Sequence, residues 1–508
     1  MSKSYKIPAG EDANRALLDL WSGWHGGIDC GKTGRFWPAG ELRAAADAAA
    51  KCLTAAGIDR DETVALALSN TVAFPTMLMA VLRTGANAAL LYVSSKPAEI
   101  SRFARSFGIR WLLHDFLEET TTLRNASFPE RTRVVFEDMA SFLLSIAGAD
   151  DACESPLPAV EAAVFHPTSG TYGAARLCLR GQGVAVAEAV DFVESIAPYE
   201  RARVTAATPL SHAYAYGFGM VAAMLTDSTL VIDSAFNPKR LLARENENAS
   251  RLLALVPPMA KSLAQVSRLV RRRKLAPDVF FAGAPCPLPV ATAFQEVFAA
   301  RLHAIYGTTE SGGIATSYSP DTPRPGVGLP LRNVAVDIRN VERYDELGGG
   351  TGEIFVRSPS MMEGYVGGGI GPDSEGWFFT GDLGRLDPDG NLAIVGRVRE
   401  MINLGGMKVD PAEVEALLRE HSSVVDAAVY PGLYEDGTEY MQAAVEGDAG
   451  QTDVEQLRAF ALDRMDPHKV PTRIHVVKAL PRTPSGKVVK VQCPGYPESL
   501  LSGGLTRT

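Results

Sequence analysis

Hydroxyl and glycine residues alternate in one short segment of the chain, which reads HPTSGTYGAARLCLR from position 166 to 180. Its glycines let backbone N–H groups come close to a ligand, and its hydroxyls are further hydrogen-bond donors. Such a turn can hold the oxygens of a phosphate, although Ser/Thr/Gly clusters are also ordinary turns. It is not a Walker loop, because GxxxxGK[ST] is absent. The candidate phosphate contacts are Thr168, Ser169, Gly170, Thr171 and Gly173.

Six other short segments carry side chains that could take part in chemistry, but each of them alone also has a structural explanation. Tyr306 could be a buried core tyrosine, and Asp382 could be a turn-forming aspartate beside glycine. An exposed lysine such as Lys487 is normally solvated surface. The segments are TPLSHAYAYGFG at 208–219, FAGAPCPLP at 281–289, IYGTTESGG at 305–313, FFTGDLGRL at 378–386, GRVREMINLGGMKVDPAEVE at 396–415 and ALPRTPSGK at 479–487.

The elements that must position these segments alternate between helix and strand in the first part of the chain. Residues 41–94 show helix-like, strand-like, helix-like and strand-like stretches in turn, and a similar pattern returns at 204–233 and 251–307. This alternation predicts parallel α/β layers. In such sheets the ligand lies outside the carboxyl ends of the strands.

Two further patterns follow. From about residue 326, short strands punctuated by glycine predict a small antiparallel barrel or ribbon. After Gly396, helix-like and strand-like stretches predict a compact α+β unit. The fold class is therefore α/β, with two α/β layers and a small β-barrel in a large N-terminal domain and a small, mobile α+β C-terminal domain. We expect the large domain at 1–396, a hinge at 397–400 and the lid domain at 401–508.

Composition excludes several classes of function. The chain has 508 residues and a formal net charge of −9, which gives no general attraction for nucleic acid or anionic lipid. The six cysteines form no CxxC pairs, so neither a disulfide framework nor a zinc site is indicated, and a reducing cytoplasm fits. The chain contains no stretch of about 18 uncharged apolar residues, so no membrane span is predicted. The basic run at 271–274 is typical of a solvated helix end and receives no function.

Taken together, the seven segments resemble the adenylate-forming superfamily, which includes acyl- and aryl-CoA ligases, non-ribosomal peptide adenylation domains, luciferases and amide bond synthetases. The resemblance covers roughly residues 35–490, and the joint match is specific where each motif alone is not. It implies a stand-alone ligase that uses ATP and Mg²⁺. A carboxylate attacks the α-phosphate, pyrophosphate leaves, and the anhydride with AMP acylates a nucleophile in a pocket that excludes water.

The resemblance implies a role for each residue of the nucleotide site. Tyr306 would stack on adenine, with Gly283, Ala284 and Pro285 on the other side of the base. Thr309 would contact the α-phosphate and Glu310 would hold Mg²⁺. Asp382 and Arg397 would, by the same resemblance, contact the ribose hydroxyls. Gly307 and Thr308 would also belong to the ATP-binding site.

Lys487 would, by the same resemblance, bridge the carboxylate and the α-phosphate, where a positive charge offsets the charge gathering at phosphorus. The small domain would then rotate about the hinge at Arg399 and withdraw Lys487 for the second half-reaction. His212 has two readings that the sequence leaves open, a core histidine or a gate of the acid pocket.

The acid pocket is expected to be deep and partly aromatic. Small residues would leave depth and Tyr214 would offer an aromatic wall. The segment PLSHAYAYG contains no acidic residue that could pair with an α-amine, so an aromatic or bulky alicyclic acid is favoured over an amino acid or a long fatty acid. The expected lining residues are His212, Ala213, Tyr214, Gly217, Ala282, Gly283, Gly307, Gly312 and Ile314.

The chain departs from the family's usual phosphate loop, TSGTTGxPKG, at three positions. Tyr172 replaces threonine, Ala175 replaces proline and Arg176 replaces lysine. Arg176 keeps a positive charge and adds a planar fork for phosphate, so we expect the loop still to bind pyrophosphate oxygens.

The acceptor is the least determined part of the reaction. Departures at the phosphate loop, RLCLR and Arg399 lead us to favour an amine slightly, with a CoA thiol as the alternative. A non-catalytic nucleotide-binding relative is a rival of another class, but Glu310, Asp382, Arg397 and Lys487 are all retained. A dinucleotide dehydrogenase would need GxGxxG between a strand and a helix, which is not present.

Overall fold

A computed structural model of the chain describes most of its residues. Those described are 5–92, 97–115, 130–136, 139–146, 157–158, 160, 162–168, 176–267, 275–283, 286, 288–344, 350–368, 370–397, 402–404, 407–409, 411–448, 450, 452–481, 490 and 493–497.

Helices form where apolar residues recur every three or four positions. In α2 the stripe Leu42, Ala46, Ala49 and Leu53 is buried. The helices are α1 Ala16–Gly23, α2 Ala39–Ala55, α3 Ala73–Arg83, α4 Pro97–Phe107, α5 Gln182–Ser195, α6 Ala222–Leu225, α7 Pro238–Glu247, α8 Pro257–Ser267, α9 Leu288–Val297, α10 Pro411–Arg419 and α11 Val454–Arg464. A π-helix spans Ala215–Val221, and 3₁₀ turns span Gly10–Arg15 and Pro467–Lys469.

The strands among the described residues fall into five sheets. Their bounds are β1 Gly27–Cys30, β2 Arg35–Pro38, β3 Thr63–Ala67, β4 Asn87–Leu90, β5 Trp111–His114, β6 Glu130–Phe136, β7 Met139–Ser145, β8 Val164–Thr168, β9 Arg176–Arg180, β10 Arg203–Ala206, β11 Thr229–Ile232, β12 Leu252–Leu255, β13 Asp278–Phe281, β14 Arg301–Thr308, β15 Gly312–Thr316, β16 Leu329–Pro330, β17 Ala335–Tyr344, β18 Gly350–Arg357, β19 Gly364–Tyr365, β20 Phe378–Leu386, β21 Leu392–Arg397, β22 Ile402–Leu404, β23 Met407–Val409, β24 Asp426–Leu433, β25 Glu439–Glu446 and β26 Arg473–Val477.

Two large sheets with parallel centres build the first part of the chain. The nine-stranded sheet has the order β16-β15-β14-β13-β12-β10-β11-β1-β2, and the eight-stranded sheet has the order β19-β9-β8-β4-β3-β5-β7-β6. Central strands such as β3 and β4 are buried along their whole length, as strands covered on both faces must be. The predicted α/β layers are therefore confirmed.

The main apolar core lies between these two sheets. It joins Leu66 and Leu90 of the eight-stranded sheet with Leu230 and Phe280 of the nine-stranded sheet, and Val190 of α5 belongs to the same cluster. Burial of this size supplies the main favourable free energy of folding. Helix α5 is therefore buried between the two sheets. Its polar side chains must find hydrogen-bond partners inside the protein.

Sheet topology determines where the sequence motifs meet. In the nine-stranded sheet β10 lies between β11 and β12, so the chain order reverses at this strand. The segments that follow β10, β13 and β14 leave the same edge of the sheet, because these strands are parallel. These segments contain His212, Gly283 and Glu310, which the sequence assigns to one site, and the edge is the one where ligands bind in open α/β sheets.

The predicted antiparallel region is a four-stranded sheet with the order β17-β18-β20-β21. The chain divides into two compact units: the larger comprises the described residues of 1–168, 176–286 and 290–398, and the smaller comprises those of 287–289 and 399–508. In the smaller unit β24, β25 and β26 form a sheet, and α10 and α11 belong to its core through Leu418 and Leu457. None of the described helices is both long and apolar enough to cross a bilayer.

Candidate functional site

Tyr306 and Asp382 form the best-defined contact among the sequence-predicted residues. Tyr306 lies near the end of β14 and is 8% exposed, whereas Asp382 lies in β20 and is 2% exposed. The Tyr306 hydroxyl donates a hydrogen bond to Asp382 Oδ2 at 2.6 Å. This is the short distance typical of a hydroxyl bound to a carboxylate. Two residues assigned from separate motifs are thus in direct contact.

Local backbone geometry positions Asp382. Gly381 precedes it with φ +81°, a conformation that favours glycine. In the antiparallel β20–β21 pair Asp382 is opposite Arg397, and the register shifts immediately afterwards, between Leu383 and Gly384. Such an irregularity changes the direction of a strand locally. The backbone therefore places the two predicted ribose-binding residues on neighbouring strands.

Thr309 and Glu310 lie in the turn between β14 and β15. Thr308 is paired with Gly312 at the end of this hairpin. Ser311 donates its backbone N–H to Thr308 Oγ1 at 3.1 Å, which closes the turn. Gly312 has φ +70°, so a side chain would strain the backbone there. Both Thr309 and Glu310 are half-buried at the carboxyl edge of the sheet.

Tyr365 is a residue of this site that the sequence reasoning missed. Its hydroxyl donates to Glu310 Oε1 at 2.7 Å, and the Arg176 guanidinium lies 5.1 Å from its ring centroid. Burial and the neighbouring Glu310 raise the pKa of Tyr365, so it stays a protonated donor. The signal in the sequence was an aromatic residue in the glycine-rich stretch EGYVGGG.

The donor set around Glu310 fits a magnesium ion carried by a nucleotide. Among the described residues no group of three or more His, Cys, Asp or Glu side chains could hold a metal ion. Mg²⁺ usually binds through one or two carboxylates together with substrate phosphates, so one carboxylate is the expected protein contribution. Because Tyr365 engages Oε1, Glu310 is held in place by a second residue.

The predicted acid-pocket segment begins directly after β10 and enters a π-helix, a conformation common at functional sites. The His212 ring lies 4.6 Å from the Tyr92 ring, and burial lowers the pKa of His212 to about 4. His212 is therefore neutral at pH 7. The Tyr214 hydroxyl donates to the Phe280 carbonyl at 3.1 Å, which holds its ring beside β13. Ala213 is half-buried between these two residues.

A buried ion pair lies beside two of the predicted pocket glycines. A methyl group added at Gly217 would lie 2.4 Å from Glu188 Oε2, and one added at Gly312 would lie 3.0 Å from Glu188 Cδ. Arg180 pairs with Glu188 at 2.7 Å between Nη2 and Oε2. We expected open depth at these glycines, whereas polar atoms of this pair lie directly beside them. The absence of a side chain at each glycine allows this close approach.

Some of the other predicted residues lie among those that the structure describes, and the rest lie outside them. Ile314 is fully buried with Tyr306 in the core beside the antiparallel sheet. Gly307 pairs with Gly313, and Gly283 follows β13 with φ +86°, immediately after the buried Ala282. Thr168 is half-buried at the end of β8. Outside the described residues lie Ser169, Gly170, Thr171, Gly173, Ala284, Pro285, Arg399 and Lys487, and the Arg397 side chain is also not described.

Two protein-family models match this chain. The family model described as "AMP-binding enzyme" matches residues 28–366, and the model described as "AMP-binding enzyme C-terminal domain" matches residues 413–487. These matches include the hairpin of Glu310 in the first model, and most of α10 and all of α11 in the second.

Similar proteins include both CoA ligases and an amide bond synthetase. A 4-coumarate–CoA ligase of Oryza sativa subsp. japonica is 28% identical over 490 residues, which cover 91% of this chain and 89% of that protein. The amide bond synthetase McbA from Marinactinospora thermotolerans has a TM-score of 0.74 and 26% identity, covering 94% and 98% of the two chains. An o-succinylbenzoate CoA synthetase from Bacillus subtilis has a TM-score of 0.75 and 22% identity, covering 94% and 97%, and shares the fold.

Proposed function

The chain belongs to the AMP-binding enzyme family of ATP-dependent adenylating ligases, and we propose that it activates an aromatic or bulky alicyclic acid and transfers the acyl group to an amine. A carboxylate oxygen attacks the α-phosphorus of ATP, the bond between the α-phosphorus and the bridging oxygen breaks, and pyrophosphate leaves. The amine nitrogen then attacks the acyl carbon and loses a proton, the bond to AMP breaks, and AMP leaves.

The contact between Tyr306 and Asp382 carries this proposal. It joins an aromatic face, which can stack on a purine, to a carboxylate, which can accept hydrogen bonds from both ribose hydroxyls. These are the two halves of an adenosine. The backbone pairing of Asp382 with Arg397 supports the same assignment.

Glu310 is proposed to hold Mg²⁺ together with the phosphates of ATP. The bound ion would offset negative charge on the phosphate oxygens. Tyr365 orients the Glu310 carboxylate through its hydroxyl, and Arg176 is proposed to contact phosphate oxygens with its fork of N–H donors. Lys487 is proposed to bridge the acid carboxylate and the α-phosphate. Thr309 is proposed to donate a hydrogen bond to the α-phosphate from the hairpin turn.

The neutral imidazole of His212 and the ring of Tyr214 favour an aromatic acid. An imidazole kept uncharged by burial presents a flat, weakly polar surface to a ring. Relatives whose names specify 4-coumarate support an aromatic substrate for this chain as well. The lid movement of the small domain about Arg399 belongs to the same proposal, because it would bring Lys487 to the site and withdraw it.

An amine is proposed as the acceptor. The altered phosphate segment and the likeness to an amide bond synthetase support it. A neutral amine held near the carbonyl of the anhydride, away from water, needs no further activation beyond positioning. A CoA thioester is the second candidate product, which the names of the curated relatives favour.

Mass spectrometry of the products tests the reaction and its acceptor together. The enzyme is incubated with ATP, Mg²⁺ and an aromatic acid, with either CoA or a small primary amine at matched concentration. The proposal predicts amide above the uncatalysed background and one AMP per amide. Thioester without amide contradicts the amine acceptor and leaves adenylation standing. No AMP with any acid contradicts adenylation and favours a non-catalytic nucleotide-binding protein.

A further inference from the structure

Four buried polar residues form a cluster where four elements of the proposed site meet. They are His166 of β8, Arg180 of β9, Glu188 of α5 and Tyr216 of the π-helix. The His166 and Tyr216 rings lie 4.9 Å apart in an edge-to-face arrangement. His166 and Arg180 lie on the same face of the β8–β9 pair, because Val164 is opposite Arg180 and His166 is opposite Cys178. We call these residues the buried polar cluster.

Most polar atoms of the buried polar cluster have no partner among the residues that the structure describes. His166 and Arg180 are each 1% exposed and Tyr216 is 0% exposed. Within the described part of the chain, no residue forms a hydrogen bond with either ring nitrogen of His166, with Nε or Nη1 of Arg180, or with the Tyr216 hydroxyl. Buried polar groups in native proteins are hydrogen-bonded in the large majority of cases, since leaving one unpaired is costly. Five such atoms in one neighbourhood indicate a ligand-binding function rather than a packing role.

The buried polar cluster adjoins the site at three points. His166 is two residues before Thr168 in the phosphate segment, and Tyr216 is two residues after Tyr214 in the acid-pocket segment. Gly312 follows the hairpin turn of Glu310, and a methyl group added there would lie 3.1 Å from Arg180 Nη2. Because Gly217 of the acid-pocket segment and Gly312 of the hairpin both approach Glu188 closely, the cluster borders the pocket proposed for the acid.

We propose that the buried polar cluster recognises the end of the acid opposite to its carboxylate, and that it selects an aromatic acid bearing a neutral hydrogen-bond acceptor there, such as a ring nitrogen or a carbonyl oxygen. This inference rests on the proposed function, because it assigns the substrate class of the same site. Arg180, His166 and Tyr216 are the specificity-determining residues, and Glu188 is a positioning residue that orients the Arg180 fork.

The chemistry of the four side chains excludes the other classes of substrate end. Arg180 has donors only, and Nε and Nη1 are the ones that its ion pair leaves available. A second carboxylate on the substrate would face Glu188, whose charge already neutralises Arg180. A purely apolar end would leave all five polar atoms unpaired. A neutral acceptor satisfies the donors without adding charge.

His166 adds one donor and one acceptor to this set. Burial holds the pKa of His166 well below its ordinary value, and the nearby Arg180 and His212 lower it further. The ring is therefore neutral, with a single N–H. Tyr216 stays protonated, because burial raises the pKa of its hydroxyl. The cluster thus keeps a constant hydrogen-bonding pattern at neutral pH.

Isosteric acids test this inference. Quinoline- and isoquinoline-carboxylic acids with the nitrogen at each ring position are compared with 2-naphthoic acid, which differs by one C–H in place of nitrogen. We expect at least one nitrogen isomer to have a kcat/KM for ATP–pyrophosphate exchange about tenfold above that of 2-naphthoic acid, since the isostere leaves buried donors unpaired.

Two variants and a matched control connect the preference to the cluster. Tyr216→Phe removes one hydroxyl and is expected to reduce the preference for the nitrogen isomer, measured as the ratio of its kcat/KM to that of 2-naphthoic acid, by about fivefold. The double variant Arg180→Met/Glu188→Met removes both charges, so that no unpaired charge is left buried, and is expected to abolish the preference. Tyr199→Phe changes another buried tyrosine outside the cluster and should leave the preference as it is.

The dissociation constants of acyl-sulfamoyl adenosines made from the same acids separate this inference from the proposed function. Tighter binding of the nitrogen analogue, lost in Tyr216→Phe, supports the inference even if turnover is slow. Equal binding of both analogues, or a preference that Tyr216→Phe leaves unchanged, overturns the inference while adenylation can still stand. Absence of exchange with every acid, although the analogues bind, overturns the proposed function instead.

Discussion

The Tyr306 hydroxyl and the Asp382 carboxylate are joined by a 2.6 Å hydrogen bond across 76 residues of sequence. The bond links β14 of the nine-stranded sheet to β20 of the four-stranded antiparallel sheet. Asp382 is therefore oriented before any nucleotide arrives. Preorganisation of this kind lowers the ordering cost of binding.

Tyr306→Phe tests this orientation, because it keeps the ring for stacking and removes the hydroxyl. We expect the KM for ATP to rise about tenfold, since a hydrogen bond to a charged group is lost, with little change in kcat. Kinetics of pyrophosphate exchange measure both parameters. Tyr199→Phe is the matched control and should leave the KM for ATP unaltered. A tyrosine with a structural role alone would alter the melting temperature and leave the KM for ATP at its wild-type value.

Tyr365→Phe tests the second contact of the site, between Tyr365 and Glu310. Loss of a residue that orients a metal ligand typically costs about 10- to 100-fold in metal affinity or activity. We expect the Mg²⁺ concentration for half-maximal exchange to rise at least about tenfold. Titration of Mn²⁺ in the presence of ATP, followed by electron paramagnetic resonance, gives a readout that does not depend on turnover. Identical Mn²⁺ binding in the variant and the wild type would contradict this role.

His212→Gln tests the effect of burial on a histidine. The pKa of His212 in the folded protein is about 4, below the ordinary value near 6.5, so between these two values the unfolded chain binds more protons than the folded one. Stability conferred by the neutral ring is thus present above pH 6.5 and is lost as the pH falls towards 4. The fall in melting temperature between pH 7 and pH 5 should be smaller in His212→Gln than in the wild type. Equal falls would show that His212 titrates normally in the folded state.

Lys487→Ala tests a residue assigned from sequence alone. Losing one preorganised donor to the transition state costs about 10²–10³ in rate. We expect that loss in the adenylation half-reaction, with transfer from presynthesised acyl-AMP preserved. Equal losses in the two half-reactions would mean a different role for Lys487. Lys490→Ala, a nearby lysine whose Nζ pairs with Glu415 at 2.8 Å, is the control for a change of charge in the same region.

The fold was predictable from the sequence because its signals are local. Continuous apolar runs separated by amphipathic helices gave the parallel layers, and short strands punctuated by glycine gave the antiparallel sheet. The hairpin that carries Glu310 was likewise contained in one motif. Each of these features depends on residues within about one element of each other.

The contacts within the site were not predictable in the same way. The pairing of Tyr306 with Asp382, and of Tyr365 with Glu310, joins residues 76 and 55 positions apart. Tyr306 and Asp382 were identified by resemblance, but no pattern in the sequence specifies the contact between them. The Arg180–Glu188 pair beside Gly217 and Gly312 was also missed, because small residues permit either open space or close packing. Only the tertiary arrangement decides between the two.

Acid-dependent exchange of labelled pyrophosphate into ATP tests the central claim most directly, because it reports formation of an acyl-adenylate whatever the acceptor. The account predicts exchange that requires an aromatic acid and Mg²⁺, is strongly reduced in Asp382→Ala through loss of nucleotide binding, and is unaffected in Tyr199→Phe. Exchange with palmitate or a proteinogenic amino acid in preference to every aromatic or alicyclic acid would contradict the substrate class. Binding of ATP without exchange in the presence of any acid would contradict the claim that this chain is an adenylating ligase.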